Sequence, residues 1–110
     1  MSASRVFVVG ACIVSALGQG LAATEASLRQ GHSCLKPLDL FVLQEGRQLP
    51  AGQAVFSSNE ADPLPRSHRL ALCAASQALA GQDKAPDAVI LGCTTGGMLR
   101  TENLLEKRQA

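Results

Sequence analysis

Thiol and imidazole chemistry in this sequence is confined to six side chains, Cys12, Cys34, Cys73, Cys93, His32 and His68. A thiolate is a nucleophile and a metal ligand, and an imidazole moves protons near neutral pH. No two cysteines form a Cys-x-x-Cys pair, so neither a zinc knuckle nor a thioredoxin-type motif is present. His32 follows Gly31 in a polar stretch, and His68 stands between Arg66 and Arg69. Neither has a ligand partner at i+4 or an acid placed to orient it as a base, so both read as surface histidines. Cys93 is the cysteine best placed to attack, because the start of a helix favours a thiolate. Its local sequence supplies no base, and it reads as structural, like Cys12 and Cys73 among small or apolar neighbours.

Two glycine-bearing stretches also match motifs that hold anions. Gly92-Cys93-Thr94-Thr95-Gly96-Gly97 separates an apolar run from a helical one, where backbone N–H groups can face an anion. It lacks the Lys-Ser/Thr ending of a P-loop and reads as a tight strand-to-helix turn. Gly18-Gln19-Gly20-Leu21-Ala22-Ala23 matches a relaxed dinucleotide fingerprint in letters only. Its first glycine lies beyond the preceding apolar run, with Ile13-Val14 between, so the match is rejected.

The elements that must position these residues follow from periodicity and breakers. Residues 5–12 form a continuous apolar run, the pattern of a strand buried on both faces. A loop is expected over 15–20 and a helix over 21–30, stopped by Gly31, with Leu21, Thr24 and Leu28 on one face and a Glu25–Arg29 pair on another. Residues 32–65 are irregular, broken by Pro37, Pro50, Pro63 and Pro65. Only Leu40-Phe41-Val42-Leu43 and Ala54-Val55-Phe56 offer strand-like pieces there. Ser67 is expected to cap a helix over 67–80 with a buried stripe of Ala71, Leu72, Ala75, Ala78 and Leu79. A second buried strand is expected over 88–91, and a last helix over 98–108. Strands alternating with helices predict an α/β protein with a mainly parallel sheet, in which two strands alone would be incomplete.

Hydrophobic residues make up 46% of the 110 and charged residues 17%, enough apolar surface for a folded domain. A chain of this size buries roughly two-thirds of its surface when it folds alone. Ten Lys+Arg against nine Asp+Glu, with no block of like charge, argue against nucleic acid. So does an aromatic set limited to Phe7, Phe41 and Phe56, which leaves little for base stacking. The N-terminus has two readings. Arg5, the apolar residues 6–17 and the small residues Ala22-Ala23 have the form of a signal peptide, and the run is too short to span a membrane. Alternatively, Val6-Phe7-Val8-Val9 is the first core strand.

In this order and spacing, the pieces resemble the N-terminal part of a β-ketoacyl synthase, of the condensing-enzyme family with the thiolase-like fold. The resemblance rests on three stretches. Arg5-Val6-Phe7-Val8-Val9-Gly10-Ala11-Cys12 with Ile13-Val14-Ser15-Ala16-Leu17-Gly18 looks like the opening strand and Ser-x-Leu-Gly turn. The arginine-bearing start of an alanine-rich helix, Arg66 to Leu79, comes next. Val89-Ile90-Leu91-Gly92-Cys93-Thr94-Thr95-Gly96-Gly97-Met98 is similar to the family's strand and Gly-x-Gly-x-Gly-Gly turn, with Thr94 where the family usually has glycine. Nearly the whole chain is covered.

The resemblance implies that residues 1–110 are an incomplete N-terminal portion of a thiolase-like layered fold. It implies an acyltransferase of fatty-acid or polyketide synthesis that condenses an acyl thioester with a malonyl unit on acyl carrier protein, in a homodimer or with a ketosynthase partner subunit. No metal, cofactor or nucleic acid is implied. The family's nucleophilic cysteine accepts the acyl group, and its two histidines help decarboxylate the malonyl unit and stabilise the enolate and oxyanion. None of the six thiol and imidazole residues here matches those positions, so no catalytic residue is expected and the chain alone is expected to be inactive. Thr95 falls where related synthases border the acyl-chain pocket, as a substrate-binding wall larger than glycine and smaller than isoleucine. The resemblance also favours the strand reading of residues 5–12, a cytoplasmic protein and reduced cysteines. Two other expectations stand beside it: a non-catalytic interaction module derived from the same fold, and a secreted domain of about 88 residues after signal cleavage.

Overall fold

The computed structural model describes residues 3–57 and 63–109. Chain order gives β1 (Val14–Ser15), β2 (Gly18–Gln19), α1 (Leu21–Arg29), β3 (Leu35–Pro37), a 3-10 turn at Gln44–Gly46, β4 (Pro50–Gly52), α2 (Arg66–Ala78) and α3 (Met98–Gln109). The loop expected over 15–20 is a hairpin. Val14 pairs with Gln19 and Ser15 with Gly18, with Ala16-Leu17 at the tip. Gly18 has φ +149, and a Cβ there would lie 2.7 Å from the Ala23 Cβ, so the hairpin packs on α1 only because this residue has no side chain.

Helix α1 begins and ends as its residues dictate. Thr24 donates its hydroxyl to the Gly20 carbonyl at 2.8 Å, and Ser27 donates to Leu17 at 2.7 Å, tying the helix to the hairpin tip. At the other end Gly31 adopts φ 64. Its N–H reaches Leu28 and the N–H of His32 reaches Ser27, the paired bonds of a Schellman stop. Arg29 and Glu25 form the expected i,i+4 pair at 2.8 Å.

In the irregular middle, the strand-like pieces 40–43 and 54–56 do not pair. Leu35–Pro37 and Pro50–Gly52 form the antiparallel ladder instead, in the register Leu35↔Gly52, Lys36↔Ala51 and Pro37↔Pro50. The Gln53 carboxamide closes its end, accepting from the N–H groups of Asp39 and Leu40 and donating to the Pro37 carbonyl. Residues 58–62 of the expected irregular stretch lie outside the described residues.

Helix α2 starts one residue before the sequence expectation, and Pro65 rather than Ser67 holds the cap position. The stripe it turns inward also differs. Leu70, Cys73, Ala74, Gln77 and Ala78 are half-buried, whereas Ala71, Leu72, Ala75 and Leu79 are exposed. Polar bonds set this rotation, because Gln77 and Cys73 are hydrogen-bonded to the N-terminal segment.

The segments read as buried parallel strands, 5–12 and 88–91, form no ladder here. Both described sheets are two-stranded and antiparallel. A parallel strand needs hydrogen-bonding neighbours on its edges and cover on its faces; among the described residues neither segment has a strand beside it, and only residues 9–12 meet a helix, at the end of α2. Val8 is 89% exposed and Ile90 97%. Among the described residues only Thr24 is buried, and no hydrophobic side chain is. The accessible surface is 9537 Å², against about 5,800 Å² for a compact chain of this mass. The radius of gyration is 18.0 Å, where about 13 Å is usual for this length. No helix among the described residues is long and apolar enough to cross a membrane.

Candidate functional site

The site that the sequence points to is the glycine turn, and the structure places it against the start of α2. Gly97 takes φ 79, which an L side chain rarely adopts, and its carbonyl then accepts the N–H groups of Arg100 and Thr101 to launch α3. Its own N–H donates to Ser67 Oγ at 3.1 Å. Ser67 therefore fastens the turn to α2 instead of capping its own helix. Gly96 faces Cys93 so closely that a Cβ would sit 2.6 Å from the sulfur. The turn is tight, as its residues predict, with Cys93 folded back on it.

Thr95, the residue the resemblance assigns to an acyl-pocket wall, is exposed and lines an open hollow of about 340 Å³. Ser67, Leu70, Met98, Arg66 and Arg100 line it with Thr95.

Beside it runs a larger groove of about 710 Å³, which the sequence did not announce. Its charged lining residues are Lys36, Arg66, Arg69 and Arg100, with Asp39 as the single described carboxylate. Arg66 is held in place there. Its Nη2 donates to the Ala54 carbonyl, and its guanidinium lies 5.0 Å from the Phe56 ring centroid. Lys36 comes from β3, Arg66 and Arg69 from the first turns of α2, and Arg100 from the first turn of α3. Charge patterning missed this cluster because its members are spread over 65 positions and only the pair on α2 is local.

The other residues singled out do not converge on a reaction centre. His32 and His68 are exposed. All four cysteines are free, Cys12, Cys34 and Cys73 half-buried and Cys93 exposed. Among the described residues no hydrogen bond joins a cysteine to a histidine, and no group of three His, Cys, Asp or Glu side chains is placed to hold a metal ion. The Gly18–Gly20 stretch occupies β2 and the helix cap, where the Gly20 N–H is spent on the Ile13 carbonyl at 2.8 Å. Compared with protein-family models, curated proteins and solved structures, the chain matches none.

Proposed function

We propose that this chain is the N-terminal portion of a β-ketoacyl synthase, the part that supplies a first core strand, a covering helix and one wall of the acyl pocket. The observation that carries the reading is how residues 9–12 meet α2. The segment runs so close to the C-terminal turns of the helix that a Cβ on Gly10 would collide with the Ala78 carbonyl oxygen. Gln82 donates to the Val9 carbonyl at 3.1 Å, and Cys12 donates to Gln77 at 3.2 Å. A segment hydrogen-bonded along the end of an alanine-rich helix supports the reading, since a layered α/β fold sets strand against helix. The exposure of 5–9 and 88–91 fits segments whose neighbouring strands belong to the rest of a sheet.

In this reading the enzyme is cytoplasmic and works as a homodimer or with a ketosynthase partner subunit. It joins an acyl thioester to a malonyl unit carried by acyl carrier protein. Thr95 limits the acyl pocket. The nucleophilic cysteine and the two histidines lie beyond residue 110, so the chain alone carries out no condensation. The test is to read the frame downstream of Ala110 and to assay the purified chain with acyl- and malonyl-loaded carrier protein. A frame encoding a cysteine at a strand-to-helix elbow followed by two histidine motifs, together with an inert purified chain, is expected. An unrelated downstream frame, or condensation by the chain itself, overturns the reading.

A further inference from the structure

Cys12 and Cys73 share one carboxamide. The Cys12 thiol donates to Gln77 Oε1 at 3.2 Å, while Gln77 Nε2 donates to Cys73 Sγ at 3.5 Å. Gln19 Nε2 donates to the same Cys73 sulfur at 3.2 Å, and its Oε1 accepts from the Ser57 N–H at 2.9 Å. The two sulfurs are therefore bridged by a single amide group through one hydrogen bond on each side, although the residues are 61 positions apart in the chain. Both are half-buried and both are free. Cys73 is fixed on α2, whereas Cys12 lies in a segment that belongs to no ladder among the described residues. Rotation of the Gln77 side chain removes the spacer, and closure then needs the two Cβ atoms to come to about 3.8 Å, as a disulfide requires.

We propose that Cys12 and Cys73 form a redox-sensitive pair that a small-molecule disulfide closes, clamping the N-terminal segment onto α2. Cys73, which accepts two amide N–H groups, is the sulfur attacked second. Its thiolate first opens the small disulfide, releasing one thiolate and leaving a mixed disulfide on Cys73. The Cys12 thiolate then attacks the Cys73 sulfur and expels the second small thiolate. The two protons lost by the protein thiols end on the two leaving groups. One protein disulfide is formed and one small-molecule disulfide is reduced, so electrons balance.

The pair is readable in an intact chain, because trypsin places the four cysteines in four different peptides, 6–29, 30–47, 70–84 and 85–100. The full chain is treated with oxidised glutathione, quenched with an alkylating agent and digested without reduction. The expected product joins peptides 6–29 and 70–84, with a mass two hydrogens below their sum. Cys12→Ser is expected to stop at the mixed disulfide on Cys73. The same treatment in denaturant is expected to scatter the pairing over Cys34 and Cys93 as well. A dominant bond to Cys34 or Cys93 under native conditions overturns the proposal, as does a native pairing pattern equal to the denatured one. Persistence of mixed disulfides with no Cys12–Cys73 bond overturns it too.

Discussion

Residues 13–32 and residues 83–96 both contain apolar side chains, glycines and small residues, yet they end in different states. The first stretch closes on itself through the β1–β2 hairpin, the Thr24 and Ser27 hydroxyls and the Gly31 stop. It holds Thr24, the one buried side chain among the described residues. Every residue of the second stretch is exposed, and among the described residues none of them takes part in a hydrogen bond. The contrast separates two ways of specifying structure. Short-range partners place the first stretch from inside it, whereas an apolar run such as Val89-Ile90-Leu91 encodes only its need to be covered.

The largest test of this contrast concerns the chain as a whole. With no buried hydrophobic side chain, calorimetry of the isolated chain is expected to lack the unfolding enthalpy of about 75 kcal/mol usual for this length. Gel filtration is expected to show concentration-dependent association through the exposed apolar segments. A sharp calorimetric transition from a monomer breaks the comparison.

A second test acts where the N-terminal segment meets α2. Gly10→Val puts a branched side chain against the Ala78 carbonyl, and the segment is expected to leave the helix. Alkylation of Cys12 then rises by about tenfold, equivalent to roughly 1.4 kcal/mol, while that of exposed Cys93 stays constant. Equal rates in the variant and the parent would detach the segment from α2 in solution.

Within residues 13–32, two substitutions sharpen the picture through amide exchange in α1. Thr24→Val removes the hydroxyl bond to Gly20, and Gly31→Ala places a Cβ at φ 64. Each is expected to weaken protection by about 1 kcal/mol. The smallest effect belongs to the other stretch. Ile90→Asp is expected to change α1 protection by under about 0.5 kcal/mol while reducing association. Loss of α1 protection in that variant would show that Ile90 packs where the structure leaves it open.

Helices were legible in the sequence because their signals are local. Gly31 stops α1, the 3.6-residue pattern marks α2 and helical composition marks α3, the last two within a residue or two. Two details of α2 were not. Ser67 has the chemistry of a cap, but the N–H it accepts belongs to Gly97, thirty residues away. Leu72 and Leu79 have the hydropathy of a core stripe, but Cys73 and Gln77 take the inner face because Gln19 and Cys12 offer them hydrogen bonds. Strand pairing was harder still. Leu35–Pro37 and Pro50–Gly52 carry prolines that demote a strand by propensity, and pairing at the ladder edges accommodates them. Of the candidate site, the tightness of the glycine turn could be read from Gly96-Gly97. The cationic groove could not, because Lys36, Arg66, Arg69 and Arg100 meet only after folding.

The sequence separations of these hydrogen bonds also set an order of events during synthesis. The contacts that close residues 13–32 span ten positions or fewer, so this stretch can form within microseconds once it has emerged. The apolar residues ahead of it must wait. Cys12 meets Gln77 after 65 further residues and Val9 meets Gln82 after 73. At ordinary translation rates that is a delay of roughly 3 to 15 s. Throughout it, the Val9 carbonyl and the Cys12 thiol are without the glutamines that meet them in the fold.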